Sequence, residues 1–218
     1  MIIWILLFFL IISGSFILAY FSMKDFLEIP SLSINSLFLI RNPNSLDLRL
    51  LEIIKNKFNR GQIISFERLF KGNQSALVVF GPKELVSLTD LDLLELEDFT
   101  NVNPEKTTAW EVTYKGEIPA NIFADLPPLK STEQFWWQIS LQIKKDQFRS
   151  QIRAVLVSER SELVKPLQNL SNGKLIKKPR PLTSAQILDN FKKRTILPLG
   201  ENLVGLDTTQ ILKLIGRV

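Results

Sequence analysis

The stretch EQFWWQISLQIKKDQFRSQIRAVLVSE, residues 133–159, carries apolar side chains at every second position, which is the period of a strand and not of a helix. Two such runs flank the polar KKDQ at 144–147, so a β-hairpin is predicted. Phe135, Trp137, Ile139, Leu141 and Ile143 share one face with Phe148, Ile152, Ala154 and Leu156, and that face is expected to be core. The opposite face carries Trp136, Gln138, Ser140 and Gln142, then Arg149, Gln151 and Arg153. A tryptophan among these polar neighbours calls for a cover. A protein partner would meet Trp136, Arg149 and Arg153; a helix of the same chain would bury them; bases of a nucleic acid would stack on the ring. KGNQSALVVF, 71–80, lacks the aromatics that RNA-recognition sheets carry on the corresponding strand, which favours the protein partner.

Working outward, SLFLIR (36–41) reads as a strand, and NPNSLDLRLLEIIKNKFNRG (42–61) as a helix. Its cues are Asn44 as cap, Asp47 in the first turn, Leu46, Leu50, Ile53, Ile54 and Phe58 at helical spacing, and Gly61 as stop. QIISFERLF and SALVVF follow as two strands around KGNQ, then PKELVSLTD as a short helix and LDLLELEDF as a strand. The order β-α-β-β-α-β predicts the split βαβ of a ferredoxin-like module. A looser second pass runs through TTAWEVTYK, ANIFADLP, the hairpin, a helix from Ser161 kept short by Pro166, and KLIKK (174–178) as a last strand. Thr183 and Gln186 form a capping box ahead of AQILDNFKKR, and LDTTQILKLIG reads as a closing small helix ended by Gly216. The expected class is therefore α+β: a transmembrane helix and two ferredoxin-like modules. The boundaries are an anchor over 1–23, a linker over 24–35, modules over 36–103 and 104–180, and a helical segment over 181–218.

The anchor is read from IIWILLFFLIISGSFILAYF, residues 2–21, which holds no charge. At about 1.5 Å per residue its length matches a hydrocarbon core of about 30 Å. Trp4, Tyr20 and Lys24 stand where interfacial residues sit, and every Lys and Arg lies C-terminal to the span. The expectation is a single-pass protein of the cell membrane with its body in the cytoplasm and the lipid bilayer among its partners.

Composition excludes much chemistry. Among 218 residues there is no Cys and no His, which removes disulfides, thiolates, histidine bases and zinc held by either residue. The formal net charge of +5 hides a dipole: residues 84–105 hold seven acids and no cation, whereas 174–194 hold seven cations and one acid. Lys174, Lys177, Lys178 and Arg180 are candidates for anionic lipid or nucleic acid. The two carboxylates of DLD (90–92) would share a strand face, a weaker hint of a divalent metal than of a solvated edge. SNGK (171–174) has the spacing of a serine–lysine acylase, but Asn172-Gly173 makes it a turn, where that chemistry wants a serine opening a helix. An extracytoplasmic enzyme using Ser171 and Lys174 is the reading it would support. Neither G-x-x-x-x-G-K-[ST] nor G-x-G-x-x-G occurs, and no catalytic residue, metal or cofactor is assigned.

At 133–159, at KLIKKPRPLTSAQILDNFKKR and at LDTTQILKLIG, the chain resembles the membrane-proximal N-terminal portion of conjugation and type IV secretion ATPases of uncultured small-genome bacteria. The resemblance implies ferredoxin-like modules behind an anchor, either a stand-alone anchor or adaptor or the product of a split gene whose motor ATPase half is encoded separately, and no catalytic residue in this chain. The expected function is a non-enzymatic membrane protein presenting a binding or assembly domain to a partner. The alternative is a membrane-tethered nucleic-acid binder.

Overall fold

The computed structural model describes residues 35–58, 61–112, 117–144, 147–170, 182–196 and 204–217. Eight strands make one antiparallel sheet: β1 (Asn35–Ile40), β2 (Ile63–Lys71), β3 (Gln74–Pro82), β4 (Leu93–Leu96), β5 (Thr107–Val112), β6 (Gln134–Lys144), β7 (Gln147–Val157) and β8 (Val204–Leu206). The order is β4-β1-β3-β2-β6-β7-β5, and β8 pairs with β7 beside β5. The helices are α1 (Leu48–Lys57), α2 (Leu85–Leu88), α3 (Val164–Asn169), α4 (Ser184–Lys193) and α5 (Thr208–Ile215).

Two hairpins build the centre. Lys71 pairs with Gln74 across a two-residue turn whose Gly72 has a φ of 55°, the left-handed conformation that such a tight turn requires. β6 and β7 run in register from Gln134↔Val157 to Lys144↔Gln147. β2 then pairs with β6 over nine residues, Ile63↔Gln142 to Lys71↔Gln134, joining the two halves of the chain.

That pairing corrects the predicted architecture. The split-βαβ order stands at one end of a continuous eight-stranded sheet, and there are not two ferredoxin-like modules; all eight strands lie within the single unit 34–218. The boundary expected between residues 103 and 104 falls in the connection that carries the chain from edge strand β4 to edge strand β5. The membrane assignment is corrected too. Among the described residues no helix is long and apolar enough to cross a membrane, the longest having ten residues. Residues 2–21, with Trp4 and Tyr20, and Lys24 lie outside the described residues, and the single-pass, cytoplasm-facing localisation is not retained.

Both faces of the β6–β7 half of the sheet are covered. Phe66, Leu77, Val79, Phe135, Trp137, Ile139, Ile152 and Leu156 form the larger core with Leu51 and Ile54 of α1, Leu167 of α3, and Ile211 and Leu214 of α5. α1 is capped by Asp47, whose carboxylate accepts from the Leu50 N–H at 2.8 Å, and not by Asn44, which lies in a preceding 3₁₀ turn. α5 opens on an Asp207–Gln210 capping box and ends at Gly216, with a φ of 75°. On the other face α4 lays Ile187, Leu188 and Phe191 against Ala109, Trp136 and Val155. The predicted Thr183–Gln186 capping box opens this helix.

Candidate functional site

Strand pairing sets Glu67 opposite Gln138, Gln138 opposite Arg153, and Arg153 opposite Glu111, so four polar residues from four strands form one row on the α4 face. Glu67, Gln138 and Arg153 are fully buried. Burial of this kind requires mutual satisfaction. The Gln138 amide donates to Glu67 Oε1 and to the Phe191 carbonyl, both at 3.0 Å, while its Oε1 accepts from Arg153 Nη1 at 3.0 Å. Arg153 also donates to the Asn190 carbonyl at 3.2 Å, the Thr195 carbonyl at 2.5 Å and Gln151 Oε1 at 2.6 Å. Gln151 in turn donates to Glu111 at 2.6 Å, and Arg153 Nε lies 3.7 Å from the same carboxylate oxygen. The row therefore supplies donors to the last carbonyls of α4, with a cation at the negative end of its dipole.

Arg194 closes the arrangement from above. It stands at the α4 C-cap with a φ of 52°, donating to Glu67 at 2.8 Å and to Asp98 at 2.9 Å, with its guanidinium 4.8 Å from the Phe80 ring centre. Burial pushes the Glu67 carboxyl above its ordinary range, and Arg194 offsets that only in part. Burial also lowers the Arg153 guanidinium to about 10. Asp98 is pushed up by burial but held below its usual value by the combined hydrogen bonds of Arg194 and Thr100. These charges are spent on one another and on the helix end, which makes the row a fastening for α4.

Trp136 and Arg153, expected at a partner interface, are thus inside the chain at 1% and 0% exposure. The cover is α4 together with Phe99, whose ring meets Trp136 edge-on at 5.1 Å. Arg149 is half-buried and paired in register with Gly205 of β8. Lys174, Lys177, Lys178, Arg180 and Ser171 lie outside the described residues. Of the DLD carboxylates, Asp92 lies 3.9 Å from Arg41 at the surface, and among the described residues no group of three or more Asp or Glu is placed to hold a metal ion.

Beside the row, towards the β2–β3 turn, the same face opens into a groove of about 520 Å³. Leu69, Ala76, Phe99 and Trp136 give it apolar walls, and Lys71, Gln74 and Gln134 give it a polar rim. The Trp136 indole N–H is held by Gln134 Oε1 at 3.1 Å, which fixes the ring. Sequence reasoning missed Leu69, Ala76 and Phe99; the β2–β3 hairpin sets Leu69 opposite Ala76, a signal present in the sequence, whereas the pairing of Leu69 with Trp136 is set by the fold alone. Comparison with known proteins adds no family to this geometry: no protein-family model matches the chain, and no curated protein matches it.

Proposed function

We propose that this chain is a non-enzymatic binding or assembly protein that offers its sheet domain to a protein partner through the groove beside Trp136. The observation that carries this reading is the groove itself, about 520 Å³ with an apolar interior, a polar rim and an indole fixed in its wall. Such a recess suits a bulky apolar side chain of a partner, the kind of contact that concentrates binding energy at interfaces. The buried charges next to it are engaged in fastening α4, which leaves the groove as the recognition feature of that face. The similarity of residues 133–215 to the region preceding secretion-type ATPase motors supplies the first partner to try, a separately encoded motor ATPase.

The test is Ala76→Arg, which fills the groove from a half-buried position near the start of β3. Binding of wild type and variant to the purified partner is measured by titration calorimetry, alongside the unfolding midpoint of each. The expected result is at least a tenfold loss of affinity at an unchanged midpoint. A partner that binds Ala76→Arg as tightly as wild type removes the groove from the interface.

A further inference from the structure

On the face away from α4, two arginines come within reach of each other's charge, and neither pairs with an acid among the described residues. Arg68 on β2 lies directly opposite Trp137 of β6, so the two side chains are neighbours on one face. Trp137 packs edge-on against Phe123 at 5.8 Å, and Phe123 in turn lies 5.0 Å from Phe70, over whose ring the Arg68 guanidinium sits at 5.9 Å. The same Phe123 ring presses on Gly216, where a Cβ would come within 2.9 Å of it. That contact brings the end of α5, and with it Arg217, onto the Arg68 cluster.

The balance of donors and acceptors here is one-sided. Arg68 Nε, Arg217 Nε and Trp137 Nε1 are all buried, and none has a hydrogen-bond partner among the described residues. Trp137 itself is 1% exposed. No ion pair joins either guanidinium to a described carboxylate. Among the described residues the one polar contact on Arg68 is its Nη2 donating to Ser75 Oγ at 3.2 Å, in which the hydroxyl accepts and keeps its own proton to donate. Burial lowers the Arg68 guanidinium, and the charge of Arg217 lowers it further. Two half-buried like charges and three buried donors with no partner among the described residues leave this region short of acceptors, a deficit that an anion would fill.

We propose that Arg68, Arg217 and Trp137 form a binding site for a tetrahedral dianion, phosphate or the phosphate group of a small ligand. Two guanidinium groups are neutralised by two negative charges, which phosphate approaches at neutral pH and a single carboxylate does not. Their planar forks suit an oxyanion with several acceptors, and the indole N–H adds a donor that has no other use. This site lies on the face opposite the groove walls of Trp136 and Leu69 and does not depend on the reading of that groove.

The experiment titrates sodium phosphate into the full chain at pH 7.5, with sodium chloride of matched ionic strength as reference, and follows heat of binding, indole fluorescence and the unfolding midpoint. Saturable phosphate binding is expected, with a tenfold or greater loss of affinity in Arg217→Gln and in Arg68→Gln. Arg217→Lys keeps the charge without the fork and is expected to fall between. Arg217 follows α5, so its substitution leaves the helix intact; in phosphate-free buffer Arg217→Gln is expected to keep or raise the midpoint, because a repulsion is relieved. The proposal is overturned by an equal response to chloride, by variants that bind as wild type, by acetate binding as well as phosphate, or by a clear drop of the Arg217→Gln midpoint without phosphate.

Discussion

The two faces of the β6–β7 hairpin are buried to the same degree by opposite means. On the α1/α3/α5 face, Phe135, Trp137, Ile139 and Leu156 interdigitate with helix leucines and isoleucines, and stabilisation follows the apolar area removed from water. On the α4 face a smaller apolar cluster packs that way, Trp136, Val155 and Ala109 with Leu69, Phe99 and Val157 at its margin. Around them lies a polar row, Glu67, Gln138, Arg153 and Glu111, in which neighbours in register meet most of one another's needs, while Glu67 Oε2 and Arg153 Nε have no hydrogen-bond partner among the described residues. An apolar face accepts any helix with a hydrophobic stripe. The polar row accepts one placement of α4, the one that sets the carbonyls of Asn190, Phe191 and Thr195 on Arg153 and Gln138.

The largest expected effects ask whether both faces are core. Phe135→Ala and Trp136→Ala should each cost about 3–5 kcal/mol by chemical denaturation, since both side chains are fully enclosed. A loss below about 1 kcal/mol for Trp136→Ala would mean that α4 does not seal its face. Arg153→Met comes next. It takes the cation from beside Glu111, which keeps the Gln151 amide, and uncovers the α4 carbonyls, for an expected loss of about 3–5 kcal/mol. Replacing both members, Arg153→Met with Glu111→Leu, should recover most of that, because two matched apolar residues need no partners. A double variant as unstable as the single one would show that the carbonyl contacts, and not the charge pair, hold the row.

Acidity separates two carboxylates of opposite sign. Glu133 accepts from Arg160, from Ser158 Oγ at 2.9 Å and from the Lys130 N–H at 2.7 Å, and chiefly Arg160 holds it at about 2. Its folded pKa is depressed, so its contribution is full above the ordinary carboxylate range and is lost as pH falls towards about 2. Glu67 is shifted upward, so the native state binds its proton more tightly, and stability declines as pH rises through and beyond the ordinary value of 4.5. Glu133→Gln should flatten the acid limb of a stability–pH profile, and Glu67→Gln should flatten the decline above it. If Glu67→Gln leaves the profile unchanged, its neighbours hold that carboxyl at an ordinary value.

Most strand positions were legible because a period of two is written locally: the hairpin register, the β2–β3 turn at Gly72-Asn73, the α4 capping box and the Gly216 end of α5 stand where alternation and turn and cap residues put them, whereas the short β8 was not foreseen. The pairing of β2 with β6 was not, since Glu67 and Gln138 are 71 residues apart and nothing in either strand names the other. That pairing turned two modules into one sheet. Polar residues on an alternating strand are ordinarily assigned to solvent, and this habit made Trp136 and Arg153 a partner surface. The hint was on the page in α4, whose buried stripe of Ile187, Leu188 and Phe191 needed a sheet face to lie on. The Arg68–Arg217 pair was invisible for the same reason as β2–β6, being joined only through Phe70, Phe123 and Gly216.

The two ends of α4 give the finest test of the comparison. Its N-terminus is held by an exposed capping box: Thr183 Oγ1 accepts from the Gln186 N–H at 3.3 Å, and the Gln186 side chain returns to the Thr183 N–H at 2.9 Å. Its C-terminus is held by the buried row and by Arg194. Water can replace the cap at the first end and nothing can replace the donors at the second, so Thr183→Ala should cost about 1 kcal/mol, well below Arg153→Met. Hydrogen exchange should show the asymmetry directly, with Thr183→Ala speeding exchange in the first turn of α4 and leaving the amides of Phe191 and Arg194 protected. If Thr183→Ala opens the whole helix at once, α4 docks as a single unit and the row does not fasten its C-terminus on its own.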